Sequence, residues 1–166
     1  MSTSSSGSRV FRAYRALGVN SDHVPCVTRY NAKHQETYVI TSVGKSFHVY
    51  KCSNMGLIRV SDPLPDDIGC LAVDARFIYA TARNKAYAFK FGRKVEREYT
   101  TNHNSGDITQ LLPFGNHLIA VDEQNVLTIW DIDSAGKTII SFIVRFRETN
   151  NALERSSFIL IKISYK

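Results

Sequence analysis

The stretch H-L-I-A-V-D-E-Q-N-V-L-T-I-W-D (His117–Asp131) decides the fold. β-Branched and apolar residues alternate with others on both sides of a short polar turn, so it reads as two strands joined by a hairpin. Two more stretches share its form. Thr37–Val43 and Ser46–Cys52 flank Gly44-Lys45, and Phe77–Ala82 and Ala86–Phe91 flank Arg83-Asn84. Each turn carries Gly or Asn, the residues that best tolerate the positive φ of a tight hairpin.

The hairpins repeat. Their second strands read F-H-V-Y-K (47–51), A-Y-A-F-K (86–90) and L-T-I-W-D (127–131), with starts 39 and 41 residues apart. Each ends in an aromatic residue followed by Lys or Asp. A further strand precedes each hairpin (Pro25–Tyr30, Ile68–Val73, Ile108–Phe114) and another follows it (Leu57–Ser61, Val95–Thr100, Thr138–Val144). Four strands at a period near 40 residues predict the blades of an all-β propeller. The blades are expected near 25–61, 68–100 and 108–144.

The ends read differently. Residues 1–8 are Ser-rich without an apolar core, which predicts a disordered lead-in rather than a secretory signal. Residues 145–166 contain no fourth hairpin, although Phe158–Tyr165 could form one strand. Closed propellers have roughly four to eight blades. Three blades spanning 9–144 therefore predict an incomplete propeller, from an incomplete or alternatively terminated product.

Composition narrows the class. The chain has 166 residues, 43% hydrophobic and 22% charged, as in ordinary globular domains. No apolar run approaches the length of a membrane-spanning helix. Three cysteines (Cys26, Cys52, Cys70) without a C-x-x-C pair argue against a disulfide framework or a zinc site and for a reducing compartment. The net charge of +6 is compatible with an RNA-rich setting. Half of it falls in residues 140–166, and Arg9, Arg12 and Arg15 add a small cluster.

The third repeat, 103–131, resembles the WD-repeat pattern. In that family a His before the first strand, an Asp in the turn between the second and third strands, and a Trp on the third form a hydrogen-bonded network. The resemblance implies that His103 and Trp130 hold these places, with Asp131 completing the terminal pair. The turn Asp is expected six residues before the Trp, where Gln124 stands, and Asp122 is out of register. The first two repeats have no Trp and read as degenerate blades.

A wider resemblance runs through F-R-A-Y-R-A-L-G (11–18), Pro25, S-V-G-K-S-F-H-V-Y (42–50), L-P-F-G-N-H (112–117) and I-W (129–130). In order and spacing this is similar to the start of the U3 small nucleolar RNA-associated protein 21 family, over about residues 9–143. The resemblance implies a nucleolar, non-catalytic scaffold of the small-subunit processome. Its implied partners are other WD-repeat processome proteins, the U3 snoRNP and pre-ribosomal RNA. A generic WD-repeat adaptor in another complex is the alternative.

Catalytic and ligand-binding readings are weaker. Gly44-Lys45-Ser46 suggests a phosphate loop, but the Gly such a loop needs is replaced by Val39, and a strand follows where a helix is required. The five histidines lack metal-site spacing. His103, Ser105 and Asp107 lie close together without an oxyanion hole or a strained nucleophile turn. No cofactor, metal or small-molecule substrate is expected. Arg93, Lys94 and Arg97, with Tyr99, form a basic stretch that is a candidate contact for RNA or an acidic protein. The ordinary reading of such a stretch is a solvated edge strand, where charge protects against edge-to-edge pairing.

Overall fold

The computed structural model describes residues 18–90, 93–101, 106–134 and 138–143. They form twelve strands: β1 (Val27–Asn31), β2 (Glu36–Val43), β3 (Ser46–Lys51), β4 (Leu57–Val60), β5 (Leu71–Val73), β6 (Ile78–Ala82), β7 (Lys85–Phe89), β8 (Arg97–Thr100), β9 (Ile108–Phe114), β10 (His117–Asp122), β11 (Val126–Asp131) and β12 (Thr138–Ile143). The described residues contain no helix. None of the twelve strands was missed by the alternation of the sequence, and their ends differ from it by three residues at most.

Consecutive strands pair antiparallel into three four-stranded sheets, each with its strands in chain order. The first strands of successive sheets lie together, β1 near β5 and β5 near β9. The sheets therefore stand side by side as blades around the edge formed by their first strands.

The core lies between the sheets, and the middle sheet explains why. Its strands β6 and β7 are buried along almost their whole length. Ile78, Ala80, Ala82, Tyr87 and Phe89 face the first sheet, where they pack with Ile40, Phe47 and Val49. Tyr79, Ala86 and Ala88 face the third sheet, where they pack with Leu118, Ala120 and Trp130. Successive side chains of a strand point to opposite faces, so a strand covered on both sides must be apolar at every position. Flanked on one side only by a described sheet, β10 alternates instead: Leu118, Ala120 and Asp122 are buried and His117 is exposed.

Size is matched across the second seam. Ala86 and Ala88 on β7 leave room for Tyr79, Tyr99 and Trp130, which are fully buried. At the first seam Phe47 meets Phe89 edge to face, with ring centroids 4.8 Å apart. Aromatic pairs in this arrangement contribute about 0.5–1.5 kcal/mol beyond the area they bury.

In the first and second sheets, the segment leaving the fourth strand crosses the hairpin turn of its own sheet. Leu64 N–H donates to Lys45 O and Ile68 N–H to Gly44 O; Thr101 N–H donates to Asn84 O and Ile108 N–H to Arg83 O. The hairpin turns thus fix where the next sheet begins. In the second hairpin the positive φ falls on Arg83 (53°), not on the Asn84 beside it, whereas in the first and third it falls on Gly44 (58°) and Asn125 (59°).

Candidate functional site

Trp130 sits on β11 opposite Leu118 of β10 and is wholly buried. An aromatic file crosses the second seam toward it. Phe77 lies 5.9 Å from Tyr79, Tyr79 lies 6.5 Å from Tyr99, and Tyr99 lies 5.6 Å from Trp130. The Tyr79 hydroxyl donates to Asp74 Oδ2 at 2.9 Å. Burial first, then this hydrogen bond, pushes the Tyr79 phenol well above its ordinary value. The hydroxyl stays protonated and keeps its donor role throughout the physiological range.

The buried acidic residue of the third hairpin turn is Asp122, two positions before Gln124. Asp122 is 2% exposed. Its Oδ1 accepts from the N–H groups of Gln124 (2.9 Å) and Val126 (2.8 Å), and Asn125 N–H closes the turn on Asp122 O. The turn spans three residues, Glu123–Asn125, against two in each of the first two hairpins, and Asn125 takes the positive φ. Among the described residues no donor reaches Asp122 Oδ2, and no acceptor reaches Trp130 Nε1. His103 lies outside the described residues. Asp131 is half-buried, and its Oδ1 accepts from Asp133 N–H at 2.9 Å. That bond holds its carboxyl below the usual range.

The first blade carries a network that the sequence reading did not single out. Asp22, in the segment entering the sheet, accepts through Oδ2 from Ser42 Oγ (2.7 Å) and Gly44 N–H (3.0 Å), and through Oδ1 from Val24 N–H (3.0 Å). Burial raises its carboxyl, but the bonds from Ser42, Val24 and Gly44 outweigh this and hold it below its ordinary value. Thr41 Oγ1 donates to Asn20 O at 2.6 Å, Asn20 N–H donates to the Tyr50 hydroxyl at 3.2 Å, and His48 Nδ1 lies 3.0 Å from that hydroxyl. The blade has no Trp, yet a carboxylate still ties its entry segment to its hairpin turn. The available signal was Asp-x-Val before β1 together with Ser42 near the end of β2, which no spacing rule picks out.

Other polar groups among the described residues make turn contacts and ion pairs. Gly44-Lys45-Ser46 forms the first hairpin turn, and Lys45 Nζ donates to Pro65 O at 2.9 Å. Arg83 pairs with Asp66, and Lys85 with Glu98. Arg76 bridges the second and third sheets, reaching Asp133 Oδ1 at 2.6 Å and Asn116 Oδ1 at 3.4 Å. Among the described residues no group of three His, Cys, Asp or Glu is placed to hold a metal ion.

The basic stretch divides. Arg93 and Lys94 are exposed between β7 and β8, and Arg93 O accepts from Asp62 N–H. Arg97 is half-buried, with its guanidinium 5.3 Å from the centre of the Phe77 ring. Tyr99, expected beside these cations as a contact, is fully buried in the seam instead. Arg97 and Tyr99 are two positions apart and share the face of β8 that turns to the third sheet; the intervening Glu98 takes the other face.

Three four-stranded sheets in chain order, with first strands together, apolar seams, a strand-three Trp and a buried turn Asp, define a WD-repeat β-propeller. The chain belongs to the family described as the WDR36/Utp21 first beta-propeller, whose model matches residues 39–159. It is 41% identical over 127 residues to human WD repeat-containing protein 36, covering 76% of this chain and 14% of that protein. It is 30% identical over 123 residues to the U3 small nucleolar RNA-associated protein 21 homolog of Schizosaccharomyces pombe, covering 74% and 13%. With U3 small nucleolar RNA-associated protein 21 of Saccharomyces cerevisiae it shares 28% identity over 124 residues, covering 74% and 13%. The chain thus spans about one-seventh of the curated relatives it matches. Among solved structures, the computationally designed Ika8 protein is similar at a TM-score of 0.53 and 12% identity, covering 73% of this chain and 39% of that one, a likeness of fold alone.

Proposed function

We propose that this chain is part of a non-catalytic scaffold of the small-subunit processome, supporting pre-ribosomal RNA processing with the U3 snoRNP in the nucleolus. The observation that carries this reading is the family match, joined to relatives named for association with U3 small nucleolar RNA. The chemistry of the blades supports it. The carboxylates of Asp22 and Asp122 are engaged by backbone N–H groups and hold turns in place. A rigid ring of blades offers its loops and edges to other proteins, and surfaces rather than reactive groups do the work. In this reading His103, Trp130 and Asp131 stiffen the third blade, and Arg93 and Lys94 are the outward cations available to RNA or an acidic surface. Arg97 contributes chiefly by holding Phe77.

The partners are other WD-repeat processome proteins, with the U3 snoRNP and pre-ribosomal RNA reached directly or through them. Affinity capture of the tagged full-length protein from nucleolar extract tests this. Recovery of U3 RNA together with other processome propellers is the expected result. Capture of neither, with the protein diffuse in the cytosol on imaging, overturns it.

A further inference from the structure

The first and second sheets differ in length where they face each other. With their hairpin turns aligned, β2 has eight residues and β6 has five. At about 3.3 Å per residue, the first sheet overhangs the second by roughly 10 Å. The overhang carries Arg29 and Asn31 of β1, the turn with His34, and Tyr38 of β2. The shorter turn of the second sheet tucks beneath it, where Ala75 O accepts from Arg29 Nη2.

A cleft of about 190 Å³ opens there. Its walls are Tyr38, Ile40, Val49, Ile58 and Ile78, and its polar lining is Arg29, Asn31, His34 and Arg59. Ile58 and Arg59 are neighbours in sequence, and on a regular strand only one of them could face the cleft. A bulge opposite Val49 and Tyr50 lets both line it. Two guanidiniums and an imidazole thus rim an apolar floor that no Asp or Glu lines among the described residues, and Asp74 lies near Arg29 outside the cleft lining. β4 is the outermost strand of its sheet, and Ile58 is 43% exposed, so the cleft is open to a chain running along the sheet margin.

We propose that this cleft docks a short acidic segment of a partner protein, one that places a leucine-sized side chain on the floor and a carboxylate against Arg59. The volume accommodates one or two such side chains, and the rim is complementary in charge. The carboxylate–guanidinium pair fixes register, while burial of the apolar side chain supplies the driving force. The site is independent of the processome assignment, since it rests on the first two blades alone.

Fluorescence anisotropy of a labelled peptide of alternating Leu and Glu, titrated with the full chain, tests the proposal. The expected result is binding that weakens at least tenfold for Arg59→Glu and for a peptide with Gln in place of Glu. Ile58→Ala weakens it severalfold with an unchanged circular dichroism spectrum, and Lys90→Glu, outside the cleft, leaves it unaltered. Equal binding of the Gln peptide, or undiminished binding by Arg59→Glu, overturns the proposal. Polyuridylate displacing the peptide in an Arg59-dependent manner also overturns it and assigns the cleft to RNA.

Discussion

Tyr99 and Trp130 meet across the seam between the second and third sheets, with ring centroids 5.6 Å apart and planes inclined at 46°. One ring comes from the last strand of one blade and the other from the third strand of the next. Both are fully buried, so this contact joins blades that share no strand pairing. Replacing Trp130 with Ala should cost about 3–5 kcal/mol, the usual range for emptying a large aromatic site. Replacing it with Phe should cost less than half of that. Urea unfolding followed by tyrosine fluorescence measures both, and equal losses for the two variants would count against a packing role.

Asp122 predicts a graded pair. Asp122→Ala leaves the Gln124 and Val126 N–H groups without their acceptor in a buried turn, a loss of about 2 kcal/mol. Asp122→Asn keeps a side-chain oxygen in place and should lose about half as much. The comparison of melting temperatures decides, and an Asn variant as damaged as the Ala variant would mean that the charge, not the acceptor, matters.

Asp22 predicts a dependence on acid. Its carboxyl is held below the ordinary 3.8 in the folded protein. The unfolded chain therefore takes up a proton first as pH falls. The stabilisation is complete above the ordinary value and is lost as pH drops through the folded one. Melting temperatures recorded from pH 6 to pH 2.5 should fall less steeply for Asp22→Asn than for the native chain below about pH 4. Parallel curves would show that Asp22 does not contribute.

Arg83 holds a positive φ of 53° in the second hairpin turn. A β-branched residue there is strained, so Arg83→Val should destabilise by about 1–2 kcal/mol. Arg83→Gly removes the exposed pair with Asp66, which contributes little, and relieves the backbone, so the two effects nearly cancel. Chemical denaturation of the two variants separates the backbone effect from loss of the ion pair: equal losses would put the effect in the side chain.

The strands were legible in the sequence because alternation and turn residues are local properties, and the blade period followed from them. The site was legible only in part. Trp130 stands out in the sequence as the last aromatic of a repeated strand, and it is buried. Asp122 lies two positions before the place found by counting back from the Trp, and the extra turn residue accounts for one of them. Tyr99 read as an exposed partner of Arg97, although it lies in a seam, because a strand of charged and aromatic residues does not say which of its faces another sheet will cover.

The sequence by itself determined three repeats of four strands, the family they resemble, and the place of Trp130 on the third strand of its repeat. These follow from short-range pattern, where each residue's neighbours along the chain carry the information. Only the tertiary structure decided that the middle blade is buried on both faces, that Asp22 closes the first blade, and that Ile58 and Arg59 face one cleft. The first depends on sheets packing across two seams, the second on an entry segment meeting a hairpin turn about 20 residues further on, and the third on a bulge that breaks alternation.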